Sequence, residues 1–169
     1  MYKQIGVLTG GGDAPGLNAV IRAVVRTAVN EYGMKVIGIE DSFEGILGET
    51  RTVQLTPKTV SGILPKGGTI LGTRNRGSFV KIVDGVPVFP EMPISEALAN
   101  LDILGIEALI VLGGEGTLAI AEQFDKRGFP VIGVPKTIDN DLAATELTFG
   151  FMTAIDIATE ALDRLHTTA

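Results

Sequence analysis

Lys136, Thr137, Asp139 and Asp141 crowd the short stretch GVPKTIDNDL (Gly133 to Leu142), directly after an apolar run. A cation, a hydroxyl and two carboxylates at the end of a strand suit the transfer of a polar group. A carboxylate can accept the proton of an acceptor hydroxyl, and an ammonium can neutralise charge on the group that moves. An extended backbone would place Thr137, Asp139 and Asp141 on one face and Ile138, Asn140 and Leu142 on the other. Two aspartates so close cannot both be buried and charged without partners, so a metal, a cation, a protonated ligand or plain solvent must face them. The triplet Asp-Asn-Asp is also an ordinary surface-turn composition. The stretch by itself leaves reactive site and acidic turn both open.

Two glycine-rich loops bear on that choice. In TGGGDAPG, Gly11 and Gly16 have the spacing of a phosphate loop, but Leu17-Asn18 replaces the lysine and hydroxyl residue that would follow. The dinucleotide fingerprint fails as well, because Pro15 stands where its third glycine would fall. Glycines still let a backbone approach a ligand closely, and a helix N-terminus offers free amides. The alternative is a tight strand-to-helix turn. In GGEGT (Gly113 to Thr117) an acid sits among glycines at a second strand-to-helix junction. Glu115 there could hold Mg2+ while Gly114, Gly116 and Thr117 meet phosphate oxygens, or could simply complement the helix dipole. Arg74 and Arg76 in GTRNRG are a source of the positive charge the first loop lacks, or a solvated loop. His166 is the sole histidine and cysteine is absent, so no zinc site, thiol nucleophile or catalytic triad can be assembled. His166 reads as a surface residue near a helix end.

The elements that must position these groups follow from periodicity. Strands are expected at Ile5 to Thr9, Val36 to Glu40, Ala108 to Leu112 and Val131 to Val134. Helices are expected from about Gly16 to Glu31, from Thr56-Pro57, from Ser95 to about Leu104, from about Thr117 to Lys126, and from about Phe149 onward. On the first helix Asn18, Arg22, Arg26 and Asn30 form one polar stripe amid aliphatic positions. FVKIVDGVPVF reads as a β-hairpin near residues 79–89 turning at Asp84-Gly85. Strand–helix alternation predicts an α/β fold, a mostly parallel sheet with helices on both faces, whose ligands bind at the carboxyl ends of the strands. The three polar loops all lie at such ends.

Composition sets the outer bounds. The 169 residues suit one domain, and a mean hydropathy of +0.33 with 45% hydrophobic residues suggests apolar surface meant for a partner. A net charge of −6 gives no electrostatic reason to bind nucleic acid or an anionic membrane. No signal-like or membrane-spanning stretch is evident, and the expected location is the cytoplasm.

Taken together, IGVLTGGGDAPGLNAVIRAVVR, GTILGTR, GGEGTL, VPKTIDND and TFGFMTAIDIATEALDRL resemble the 6-phosphofructokinase family in order and spacing, over nearly the whole chain. The likeness is weakest from Gly77 to Pro93, where the hairpin lies. The resemblance implies a Rossmann-like sandwich that transfers a phosphoryl group from ATP or pyrophosphate to the 1-hydroxyl of fructose 6-phosphate. By that resemblance Gly11 contacts the nucleotide, Arg74 and Asn75 lie by the transferring phosphate, and Glu115 engages Mg2+. Gly114, Gly116 and Thr117 meet phosphate. Thr137 and Asp141 serve the sugar-phosphate side, and Asp139 is the catalytic base. Many members carry Asp where this chain has Glu115.

The donor is read at two positions. Pyrophosphate-using relatives typically have Asp at Gly116 and Lys at Lys136, while many ATP users have Gly at both. Gly116 with Lys136 is a mixed signature resembling the actinobacterial-type ATP-dependent branch. ATP is favoured, since Gly116 leaves room for the α-phosphate and adenosine, and Lys136 is expected near the β- and γ-phosphates. Family members run to about twice this length, so residues 1–169 are expected to be the N-terminal nucleotide-binding half, without the C-terminal sugar-phosphate domain and inactive alone. Alternatives are a pyrophosphate-dependent enzyme, a related NAD or lipid kinase, and a non-catalytic nucleotide-binding or interaction fragment. The intact protein is expected to be a homo-oligomer, a tetramer by resemblance.

Overall fold

The computed structural model describes residues 2–75 and 77–168; Arg76 lies outside them. Apolar runs with little polar alternation form the sheet interior, as expected of strands covered on both faces. Six strands assemble: β1 (Gln4–Thr9), β2 (Lys35–Ile39), β3 (Thr52–Leu55), β6 (Ala108–Gly113), β7 (Val131–Thr137) and β8 (Phe149–Gly150). Their order is β3-β2-β1-β6-β7-β8, every pair parallel except the antiparallel β2–β3 edge. The separate hairpin pairs β4 (Lys81–Val83) with β5 (Val86–Val88). Asp84 (φ 52°) and Gly85 (φ 78°) form its turn, with the positive φ values that a two-residue hairpin of native twist demands.

Side-chain alternation builds a core on each face of the sheet. Val7 and Val36 join Leu17, Ile21 and Val25 of helix α1 (Leu17–Asn30) on one side. Leu8, Ile39 and Leu109 join α2 (Glu91–Ile103) and α3 (Glu115–Asp125) on the other, with Phe43, Phe79 and Phe124 in mutual contact. Helices therefore cover both faces of a mostly parallel sheet, as the sequence predicts. A final helix, α4 (Phe151–Thr168), has no buried residue and carries the exposed His166 near its end. No helix among the described residues is long and apolar enough to cross a membrane.

Several expectations change. Thr56-Pro57 starts no lasting helix. Thr59 bonds back to the Thr56 amide and carbonyl, but Gly62 turns left-handed (φ 74°) and ends the segment after little more than one turn. Helix α2 begins at Glu91, four residues before Ser95, because Pro90 supplies the entry turn and Pro93 fits the first helical turn. The antiparallel strand β3 was not expected, nor was the short strand β8 (Phe149–Gly150) at the expected onset of the last helix, which begins at Phe151. Asn18 does not lie on a solvated stripe: it is buried, bonds the carbonyls of Lys66 and Gly67, and accepts from the amide of Ile70, which pins the segment leading to Arg74.

Candidate active site

β1, β6 and β7 are adjacent and parallel, and their carboxyl ends stand level: Thr9 pairs with Leu112, and Gly113 with Pro135. The loops that follow them must therefore meet. They enclose a cleft of about 880 Å³ lined by Gly11 to Ala14, Arg74, Asn75, Gly114 to Thr117, and Lys136 to Asp139 with Asp141. Gly11, Arg74, Asn75, Gly114 to Thr117, Lys136, Thr137, Asp139 and Asp141, the positions singled out by the resemblance, all line this cleft, whereas Arg76 lies outside the described residues.

The loops are bolted to one another. Gly11 donates its amide to the Arg74 carbonyl (3.1 Å), and Thr73 Oγ1 donates to the Gly11 carbonyl (2.6 Å). Thr117, 7% exposed, fits between Gly10 and Gly113. A Cβ on Gly113 would fall 2.3 Å from Thr117 Cβ, and one on Gly10 would fall 2.6 Å from Thr117 Cγ2. These glycines are what allow the first turn of α3 to sit against both strand ends.

The two helix starts differ. Gly16, at the N-cap of α1, is packed beneath the last elements: a Cβ there would fall 3.1 Å from Thr153 Oγ1 and 3.7 Å from the Gly150 amide. Only Gly11 to Ala14 of that loop reach the cleft. The start of α3 does open into it through Glu115, Gly116 and Thr117, and Gly114 provides no side-chain cap. The unbonded amides available to an anion are therefore those of α3, not α1. Around Gly116 a Cβ would meet nothing within 4 Å, so the cleft is open there.

The GVPKTIDNDL stretch is not extended beyond Thr137, where β7 ends. Asn140 adopts φ 53°, a left-handed turn that asparagine tolerates. Thr137 Oγ1 donates to Asp141 Oδ1 (3.0 Å) and accepts the Asp139 amide (3.1 Å). The curl still brings Thr137, Asp139 and Asp141 together, by hydrogen bonding rather than by strand pleat. Both aspartates are exposed to the cleft. Asn140 Oδ1 accepts the Thr148 amide (2.9 Å), and Thr148 Oγ1 donates to the Thr137 carbonyl (2.9 Å), which closes the loop from below.

Lys136 is 4% exposed, and its ammonium donates to the Gly12 carbonyl. Burial pushes its pKa below the ordinary value, and the nearby Asp13 carboxylate partly offsets this. A cation in that position ties β7 to the first glycine loop. Among the described residues no three acidic, histidine or cysteine side chains cluster as metal ligands. Glu115 is the acid at the start of α3, and a divalent ion held by one carboxylate, phosphate oxygens and water fits that donor set.

Several cleft residues had no motif to mark them. Glu44 accepts from the amide and hydroxyl of Ser78, fixing the chain at that residue. Ser42, Phe79, Val80, Ile82, Ile120 and Leu142 also line the cleft. The hairpin could be found from Asp84-Gly85, but its place beside the cleft could not.

The model of the phosphofructokinase family matches residues 4–169. The ATP-dependent 6-phosphofructokinase of Chloroflexus aggregans is 56% identical over 171 residues, covering 99% of this chain and 46% of that protein. A pyrophosphate–fructose 6-phosphate 1-phosphotransferase of Streptomyces coelicolor is also 56% identical, over 167 residues, covering 98% of this chain and 46% of that protein. Among solved structures, the phosphofructokinase of Saccharomyces cerevisiae superposes with a TM-score of 0.78 at 30% identity, over 99% of this chain and 24% of that one. The chain thus spans about half the length of the curated relatives it matches. With the family model spanning nearly every residue and relatives above half identity along the same span, this chain belongs to the phosphofructokinase family.

Proposed function

We propose that this chain carries the donor site and the catalytic base of an ATP-dependent 6-phosphofructokinase, acting as the nucleotide-binding half of a two-domain protein. The observation that carries the reading is the convergence of the three loops on one cleft, with Asp139 on the same wall as Thr137 and Asp141. The amides at the start of α3 and Arg74 hold the polyphosphate of ATP, and Gly11 approaches it through its backbone. Glu115 is the residue that would hold Mg2+, which supplies neutralisation of phosphate charge when bound. Asp139 takes the proton of the fructose 6-phosphate 1-hydroxyl as that oxygen bonds to the γ-phosphorus and the bond to the β,γ-bridging oxygen breaks, releasing ADP. Thr137, whose hydroxyl accepts the Asp139 amide and donates to Asp141, holds the base in place. Placement in the cytoplasm as a homo-oligomer accords with this reading.

A pyrophosphate-dependent reading has one observation in its favour: the Streptomyces relative of that name is as similar as the ATP-dependent ones. The intact protein assayed with each donor decides between them. ATP is expected to give the higher kcat/KM, and a dominant pyrophosphate activity overturns the donor assignment. Asp139→Asn should lower kcat by roughly 10²–10⁴-fold with little change in KM for ATP. Near-normal turnover of a folded Asp139→Asn protein removes Asp139 as the base.

A further inference from the structure

The hairpin β4–β5 is the part of the chain least accounted for by the family pattern, and its side chains are exposed throughout. Its ends are nevertheless fixed. Phe79 is 1% exposed and lies 5.5 Å from the Phe43 ring, and Phe89 packs on the same core. Glu44 holds Ser78 on the approach. In the antiparallel register Ile82 faces Pro87, while Lys81, Val83, Val86 and Val88 share the opposite face. Ile82 and Val80 line the cleft. Ile82, at 68% exposed, is thus a large apolar side chain offered to the mouth of a polar site.

We propose that Ile82 forms the base-side wall of the donor cleft and selects a nucleoside triphosphate over an inorganic polyphosphate. This rests on the kinase reading above. Loops made of glycine amides, Arg74 and Glu115 serve phosphate and its counter-ion, and have no use for apolar surface. Fructose 6-phosphate presents hydroxyls and a phosphate on every side. The one component of the reaction with a flat, weakly hydrated face is the nucleobase, and such faces are held against aliphatic or aromatic walls. Ile120, on the second turn of α3, contributes to the same lining, as does Gly116, where a Cβ would meet nothing within 4 Å, leaving room for the rest of a nucleotide. Pyrophosphate, which has no base, would gain nothing from Ile82.

Ile82→Thr tests the assignment while keeping a β-branched strand former, and Val86→Thr makes the same change on the opposite face. Titration calorimetry on the intact protein would compare Mg·ATP with Mg·tripolyphosphate, a triphosphate without a base. Ile82→Thr should weaken ATP binding on the order of 5- to 20-fold and leave tripolyphosphate within about twofold. Val86→Thr should leave both ligands unchanged. Unaltered ATP affinity in Ile82→Thr, an equal loss for tripolyphosphate, or an equal effect of Val86→Thr overturns the assignment. Failure of the unmodified protein to bind ATP overturns the donor reading and this inference with it, whereas normal binding that is indifferent to Ile82 overturns only this inference.

Discussion

Gly113→Ala is the most direct test of how α3 is seated. Neither Gly113 nor Gly116 has a positive φ, so alanine is conformationally allowed at both, and space alone distinguishes them. At Gly113 the added methyl would fall 2.3 Å from Thr117 Cβ and 2.4 Å from its Cγ2. The first of these is about 1.2 Å inside an ordinary 3.5 Å carbon contact. Because the clash includes Cβ, no rotamer of Thr117 relieves it, and the first turn of α3 must shift. Overpacking of this kind costs roughly 1–3 kcal/mol, which for a chain of this size lowers Tm by about 2–4 °C per kcal/mol. The same shift displaces Glu115, Gly116 and Thr117 by about 1 Å, enough to cost on the order of 10²-fold in turnover if they align the donor. Gly116→Ala is the control, since nothing lies within 4 Å of its Cβ position. Replacing a helical glycine there should be neutral or stabilise by up to about 1 kcal/mol. Thermal unfolding of this chain and steady-state kinetics of the intact protein read both effects. Wild-type Tm and turnover in Gly113→Ala, or equal destabilisation by Gly116→Ala, would refute the packing argument.

Two further perturbations bear on charge. Because burial depresses the Lys136 pKa, the folded state gives up this proton before the unfolded state, whose lysine titrates near the ordinary 10.5. Between those two values the unfolded chain binds more protons, so stability gains a contribution as pH rises. Denaturant titrations across the alkaline range should show that contribution in the wild type and not in Lys136→Met; parallel pH profiles would contradict the burial argument. Glu115→Gln should raise the Mg2+ concentration needed for half-maximal activity of the intact protein several-fold while leaving Tm within about 1 °C, because it removes one carboxylate ligand from an exposed helix start. An unchanged Mg2+ requirement would move the metal away from this residue.

What could be read in advance was whatever a strand end imposes. Apolar runs at Ile5, Ala108 and Val131 marked three strands, the glycines after them marked loops, and a parallel sheet brings such loops to one edge whatever the intervening chain does. That is why residues from all three loops share a cleft. Less was legible where a distant element decides. TGGGDAPG has the glycines and helix start of an anion site, but it could not be foreseen that Gly16 packs against Gly150 and Thr153, more than 130 residues further on, so that only Gly11 to Ala14 of the loop reach the cleft. Lys136 lines the cleft as its place after a strand suggests, but its bond to the Gly12 carbonyl, supplied by another strand's loop, could not be read from the sequence.

Lys136 also changes what the pairing of Gly116 with lysine means. A pyrophosphate-type lysine and an ATP-type glycine conflict only if both touch the donor. Here the lysine lines the cleft but is buried and donates to the first glycine loop, near Asp13, so it can hold that loop in position for either donor. Gly116, which lines the same cleft as Ile120 and Ile82 and has nothing within 4 Å of its Cβ position, is then free to discriminate alongside Ile82. A carboxylate introduced by Gly116→Asp meets no steric obstacle and would complement the α3 dipole, so it should fold normally. It would place a negative charge where a nucleotide must extend past its terminal phosphates. The expected result is a large loss of ATP affinity with the protein's Tm preserved. Loss of both together would mean that Gly116 is structural, and that the donor preference is decided elsewhere.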